Sequence, residues 1–199
     1  MQSKSGNISI DDAVLVKQCQ RGDSDSMGRL IVKYQDRLYN AILKICGNPD
    51  DAAELTQESF VKVLENIGTF RSQSSFYTWL FRVGMNLTLT FCSRRLRLGM
   101  HSLDNPAGGK EGLKLADVLA DTKEKSPVVD IENREVVQRI LAALEKLEDH
   151  QRAIVVLRDI EGMSYEHIAE VLQIETGTVK SRLSRARVAL RELLQTVWI

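Results

Sequence analysis

Between Thr176 and Glu192 the chain reads TGTVKSRLSRARVALRE, which places Lys180, Arg182, Arg185, Arg187 and Arg191 in one stretch with no acid before Glu192. Cations at that density can neutralise phosphates, and a guanidinium can also take the paired acceptors of a guanine edge. Val179, Leu183, Ala186, Leu190 and Leu193 recur at spacings of four and three. One side of a helix is therefore apolar and packs, while the cations spread over the rest. Taken alone, such a helix is better explained by a solvated charged face, so the elements around it have to decide.

The preceding residues supply a partner. Ser164 is placed to cap a short helix through Ile168, Ala169 and Leu172, with Glu166 in its first turn. A tight turn at Gln173-Ile174-Glu175 then leads into the basic segment. Two short helices joined by about three or four residues, the second of them basic, form the helix-turn-helix pattern. Gln173 stands where a glycine is common in such turns.

The composition bounds the rest. With 199 residues, 43% hydrophobic and 27% charged, the chain has room for one or two domains of an ordinary soluble protein. It has no run of about 18 apolar residues and no leader-like start, so no membrane insertion and a cytoplasmic location are expected. Cys19, Cys46 and Cys92 lack metal or disulfide spacing and read as small buried groups. His101, His150 and His167 are far apart, and no phosphate loop, metal-protease or nucleophile-elbow motif occurs. No catalysis, no metal and no cofactor are expected.

Basic and acidic residues balance at 27 each, but they are not evenly spread. From Asn66 to Leu103 there is no acid, while Arg71, Arg82, Arg94, Arg95 and Arg97 are present. A field that falls off over about 10 Å makes the local charge decisive, so two basic surfaces imply two DNA contacts.

Strand signals are almost absent, and the fold class expected is all-α. The spacing predicts a helix after Ser9 with Leu15 and Cys19 inward, stopping near Gly22. A second follows Ser24 or Asp25 and ends at Gly47-Asn48-Pro49. A third starts near Asp50, with Asp50, Asp51 and Glu54 at the positive end of its dipole and Leu55, Val61, Leu64 and Ile67 inward. After a loop from Gly68 to Ser74, a fourth runs from near Ser75 to about Arg97. Its apolar residues, from Phe76 and Trp79 to Phe91, cover more than one stripe; it is either the centre of a bundle or an exposed stacking surface. Residues 98–131, rich in glycine and with Pro106 and Pro127, read as a linker that could hold a short helix at Leu113 to Leu119. Helices over Ile131 to Leu147 and Asp149 to Glu161, the latter stopped by Gly162, complete the chain. The domains expected are 9–97 and 132–199.

At this point the wording is specific. LRDIEGMSYEHIAEVLQIETGTVKSRLSRARVAL closely resembles region 4, the promoter-binding domain of extracytoplasmic-function sigma factors of bacterial RNA polymerase. DAAELTQESFVKVLENIGTF is similar to the part of region 2 that docks on the polymerase clamp, and FYTWLFRVGMNLTLTFCSRRLR to the element that opens start-proximal DNA. The resemblance implies a non-catalytic subunit that binds core RNA polymerase, recognises promoter DNA, helps melt it, and is held by an anti-sigma factor. It implies a polymerase surface at Asp50, Asp51, Glu54, Leu55, Gln57, Glu58 and Phe60. It implies start-proximal DNA contacts at Phe70, Phe76, Trp79, Arg82, Asn86, Arg94 and Arg95, with the loop Asn66 to Ser75 as base pocket. Upstream contacts fall on Thr176, Thr178, Lys180, Ser181, Arg182, Ser184, Arg185 and Arg187, of which Arg187 is equally a solvated charge.

The chain departs from the family pattern at Thr90, where an aspartate is frequent, and at Glu148, where a proline is common. The linker is either a plain tether or an occupant of the polymerase's RNA channel. The alternative to a polymerase subunit is a helix-turn-helix regulator acting alone. That reading needs a receiver or ligand domain with strands in residues 9–97, which read as helices.

Overall fold

In the computed structural model the described residues are 10–101 and 129–195, and every regular element among them is helical. The proposed linker helix at Leu113–Leu119 lies outside them. The first half holds α1 (Ile10–Gln20), α2 (Ser24–Cys46), α3 (Pro49–Asn66), a single 3-10 turn (Ile67–Thr69) and α4 (Phe76–His101). The second holds α5 (Val129–Glu145), α6 (Asp149–Val155) continued by a π-helical turn (Val156–Ile160), α7 (Tyr165–Leu172) and α8 (Thr176–Gln195). α4 therefore runs past Arg97, and α5 begins before Ile131.

Local chemistry sets most boundaries. Asp23, rather than Ser24 or Asp25, caps α2 by accepting from the Asp25 N–H at 3.1 Å. Gly47 ends that helix in the left-handed region, φ 74°, which costs glycine nothing. Asn48 then accepts from Asp50 N and Asp51 N at 2.8 and 3.0 Å, and Pro49 fills the first position of α3, where no N–H is needed. Ser75 caps α4, accepting from Thr78 N at 3.0 Å.

α2 carries Leu30, Leu38, Ile42 and Ile45 at helical spacing, all fully buried, and α1, α3 and α4 pack around it. Gly84 permits the close crossing of α4: a Cβ there would lie 2.9 Å from Leu38 Cδ1 and 3.4 Å from Ser59 Oγ. α4 packs on α2 and α3 on one side and on α7 of the second half on another, which accounts for its excess of apolar residues; Leu80, Phe81 and Met85 are wholly enclosed. Two expectations for α3 fail. Val61 and Leu64, placed inward by the sequence reading, are 46% and 54% exposed, while Phe60 and Val63 fill the core.

In the second half Leu141, Leu144, Ile154, Leu157, Ile168, Val179, Leu183 and Ala186 form the packed face. The helix expected over Asp149 to Glu161 is α-helical only to Val155 and then widens, the Glu161 N–H reaching Val156 O at 2.9 Å. The halves also touch: α4 packs on α7, and α2 on α6 and the π turn.

Candidate nucleic-acid and polymerase interfaces

The helix-turn-helix forms as its residues require. Ser164 Oγ accepts from His167 N at 3.2 Å at the start of α7. Gln173 occupies the left-handed region, φ 53°, taking the strain that a glycine would avoid, and its N–H reaches Ala169 O. α8 starts at Thr176, with Val179, Leu183 and Ala186 buried against α7 and α6. Lys180, Ser181, Ser184 and Arg185 consequently lie on the exposed side.

Within that face the side chains are partly pre-arranged. Ser181 Oγ donates to Thr178 O at 3.1 Å, and Arg185 Nε to Ser181 O at 3.4 Å, which lays the guanidinium along the helix surface. The Lys180 ammonium stands 5.9 Å from the Tyr165 ring centre. Thr178 and Arg182 line a groove of about 580 Å³ between α7 and α8 with Glu170 and Glu175. Thr176 is half-buried at the helix start. Arg187 is placed differently from the others: it forms a two-pronged pair with Asp159, Nε to Oδ2 at 3.1 Å and the second nitrogen to Oδ1. That hydrogen bond, ahead of the charge itself, raises its pKa.

The start-proximal set divides. Phe76 and Trp79 are 3% and 8% exposed, so neither ring is a free stacking platform; both belong to the core. Phe70 is half-buried and stacks on Trp79 with centroids 4.7 Å apart, and Phe76 meets Trp79 edge-on at 6.1 Å. Gln20 of α1 fastens this loop by donating to Ile67 O and Phe70 O at 3.0 and 2.8 Å. Asn86 and Arg94 lie exposed on one stripe of α4 with Thr90, whose hydroxyl donates to Asn86 O at 2.7 Å. Arg82 and Arg95 are engaged within the protein. Arg82 pairs with Glu170 of α7 at 3.7 Å. Arg95 donates to Cys46 O at 3.0 Å and meets Asp51 at 3.5 Å, so it caps the end of α2.

On α3, Asp50, Glu54, Gln57 and Glu58 are exposed and Asp51 is half-buried. Leu55 and Phe60, expected as apolar anchors of a docking surface, are buried in the core. The exposed apolar groups on that helix are Val61 and Leu64, one turn and two turns along from Gln57. Leu55 is inward as its period requires, whereas Phe60 takes the inward place expected of Val61 and Leu64; all four fit a helical period, and only the crossing with α2 and α4 selects between them.

Residues that sequence reasoning missed are mostly polar groups buried between helices. Arg152 is 6% exposed and spends its guanidinium on backbone carbonyls. Its place beside the apolar run AIVVL is a signal that could have flagged it. Asp12, also buried, pairs with Lys33 at 2.6 Å and accepts from the Tyr34 hydroxyl. Burial first, then Asp12, pushes that phenol well above its usual range.

A two-part helical chain whose second part presents a basic helix-turn-helix face has the architecture of a DNA-binding protein. The sigma-70 region 2 family matches residues 30–98 and the sigma-70 region 4 family residues 137–190. The RNA polymerase sigma-H factor of Pseudomonas aeruginosa is 34% identical over 184 residues, covering 92% of this chain and 94% of that one. The ECF RNA polymerase sigma factor SigW of Bacillus subtilis is 34% identical over 182 residues, covering 90% and 95%. Among solved structures, the sigma factor RpoE in complex with the anti-sigma factor NepR, from Bartonella quintana, is similar with a TM-score of 0.62 and 25% identity, covering 84% and 96%.

The chain belongs to the extracytoplasmic-function sigma factors of the sigma-70 family. As a sigma factor it acts with core RNA polymerase and promoter DNA in transcription initiation. No helix among the described residues is long and apolar enough to cross a membrane, and no group of three metal-ligating side chains occurs among them.

Proposed function

We propose that this sigma factor grips its promoter twice, with residues 9–97 opening the start-proximal duplex and residues 132–199 reading the upstream element. The observation that carries this is the exposed α8 face of Lys180, Ser181, Ser184 and Arg185, set opposite the buried Val179, Leu183 and Ala186. Ser181, Ser184 and Arg185 read or hold the upstream element; Thr176, Thr178 and Arg182 approach phosphates near the helix start, where the dipole favours anions. On α4, Asn86 and Arg94 serve the start-proximal strand, and Phe70, the least buried ring of its cluster, supplies the stacking face. Phe76 and Trp79 support it from below. Stacking of about 1–3 kcal/mol per base offsets the unstacking cost.

The polymerase-facing surface is the exposed face of α3: Asp50, Glu54, Gln57 and Glu58 steer by charge, and Val61 and Leu64 supply the apolar seal. The protein has no chemistry of its own to perform, works in the cytoplasm, and is controlled by an anti-sigma factor. The last point is supported by the similarity to RpoE, which was solved with the anti-sigma factor NepR.

Run-off transcription with core polymerase of the host, with and without this chain, on a genomic promoter library tests the reading. Promoter-specific initiation that depends on the chain is expected; none from any fragment overturns it. For the regulator, the factor recovered from uninduced cells should be bound to a dedicated inhibitor. Recovery always free or polymerase-bound argues against one.

A further inference from the structure

Glu161 follows the π turn of the second half, and its carboxylate is 6% exposed, yet its partners belong to the first half. Arg37 Nε of α2 reaches Glu161 Oε2 at 2.6 Å, and a second Arg37 nitrogen donates to Glu161 O at 3.0 Å. Tyr77 of α4 donates to the same Oε2 at 3.0 Å, and the Arg37 guanidinium lies 4.6 Å from the Tyr77 ring centre. Burial first, then Glu161, holds the Tyr77 phenol far above its usual range, so it stays a donor. Farther along α4, Glu170 of α7 takes Arg82. Arg37, Tyr77, Glu161 and Glu170 themselves border a cleft of about 1110 Å³, lined also from one half by Phe70 and Phe76 and from the other by Arg158.

Two acids of one half thus hold two arginines of the other at the border of this cleft, Arg37 and both acids lining it. Fixed charge pairs over an open cleft are contacts that water or another anion can replace, unlike an interdigitated apolar seam. Arg82 is also one of the cations that the promoter-facing surface of α4 offers. We infer that the chain has a self-closed state, latched by Glu161 on Arg37 and Tyr77 and by Glu170 on Arg82, which withholds Arg82 and the Phe70 side of the cleft from DNA. Its occupant in the open state is single-stranded DNA, whose phosphates take the place of the two carboxylates. Asn86, Thr90 and Arg94 stay exposed in the closed state, so the latch attenuates DNA binding rather than abolishing it. The withholding of Arg82 rests on the reading of α4 as a DNA surface; the latch itself does not.

The test reads conformation and binding separately. Spin labels at Glu65→Cys and Gln195→Cys, both exposed while the native thiols are buried, report the distance between the halves by pulsed electron resonance. The otherwise unmodified chain should give one narrow short distance, Arg37→Glu a longer and broader distribution, and the swap Arg37→Glu with Glu161→Arg the short one again. An already broad distribution that Arg37→Glu leaves unchanged, or a swap that does not restore closure, overturns the latch. Binding of a fluorescent mixed-sequence single-stranded oligonucleotide is then measured across salt for the full chain and for Glu161→Gln with Glu170→Gln. The double variant should bind more tightly, with a log–log salt slope steeper by about 0.7 for each arginine released. Distances that open with unchanged affinity and slope overturn the withholding of Arg82. Arg82→Ala in the open variant should lose about 0.7 of that added slope, its own share; if it does not, the DNA role of Arg82 is wrong while the distance data still decide the latch.

Discussion

The Arg152 guanidinium of α6 donates to the Ile45 carbonyl at the end of α2, across 107 positions of sequence. Its remaining N–H groups reach Leu144 O, Glu145 O and Leu147 O at 2.7, 2.6 and 2.8 Å around the end of α5. The last four carbonyls of a helix have no partner within it, and a buried end must find donors elsewhere. The planar fork of arginine, with five N–H groups, can serve two such ends at once. Arg95 completes α2 by taking the next carbonyl, Cys46 O.

Replacing Arg152 by Met should therefore destabilise the protein by roughly 3 kcal/mol, because several buried carbonyls lose their donors together. Arg152→Lys should recover little, since one ammonium on a flexible stem cannot span both helix ends. Urea denaturation checks both; a midpoint within error of the parent for Arg152→Met removes the capping role.

On α3 the two apolar pairs should separate cleanly. Val61→Glu and Leu64→Glu should leave stability within about 0.5 kcal/mol of the parent, as exposed positions do, and weaken binding to core polymerase. Leu55→Ala and Phe60→Ala should instead cost about 2–5 kcal/mol of stability through cavities. Thermal melts paired with a polymerase pull-down decide it, and normal polymerase binding by both glutamate variants would move the docking surface off this face.

On α8, Arg185→Ala should lose about 1–3 kcal/mol of promoter affinity if the guanidinium reads a guanine. Arg187→Ala should affect promoter choice much less. Its half-exposed pair with Asp159 contributes about 0.2–1 kcal/mol to stability, of which solvent screening leaves the lower part. Gel-shift titrations and run-off transcription on a shared promoter rank the two, and the reverse order contradicts the assignment.

The thiols give a pH prediction. Burial pushes Cys92 from its ordinary 9.0 up to about 11, and raises Cys46 and Cys19 as well. A raised thiol pKa means that the folded state holds its proton more tightly than the unfolded state. The associated stability is complete below pH 9.0 and is lost as pH rises through about 11. Melting temperature should fall over that window, and Cys92→Ala should flatten part of the fall. At neutral pH an aromatic disulfide reagent should find the three thiols unreactive until the protein unfolds. Rapid labelling of native Cys92 would contradict this.

Much was legible in the sequence because it depends on neighbours in the chain. Gly47-Asn48-Pro49 specifies a helix end and a helix start through φ, a side-chain acceptor and a missing N–H, and the structure has both. Ser164 and the period of Val179, Leu183 and Ala186 fix the helix-turn-helix in the same local way. Even Glu148, standing where the family commonly has proline, keeps a φ of −57°, a value proline also adopts.

What the sequence alone could not decide was which of two chemically equal groups ends up inside, and which cation is already taken. Leu55 and Phe60 went in and Val61 and Leu64 stayed out, since only the approach of α2 and α4 picks the buried stripe of α3. Arg82, Arg95 and Arg187 look alike along the chain as phosphate contacts, and Arg152 carries no mark of its partners. Tertiary structure gave them Glu170, Cys46 O, Ile45 O and Asp159. Helical periodicity and capping act over a few residues, whereas a charge or a carbonyl is satisfied by whatever the packed helices bring within about 3 Å.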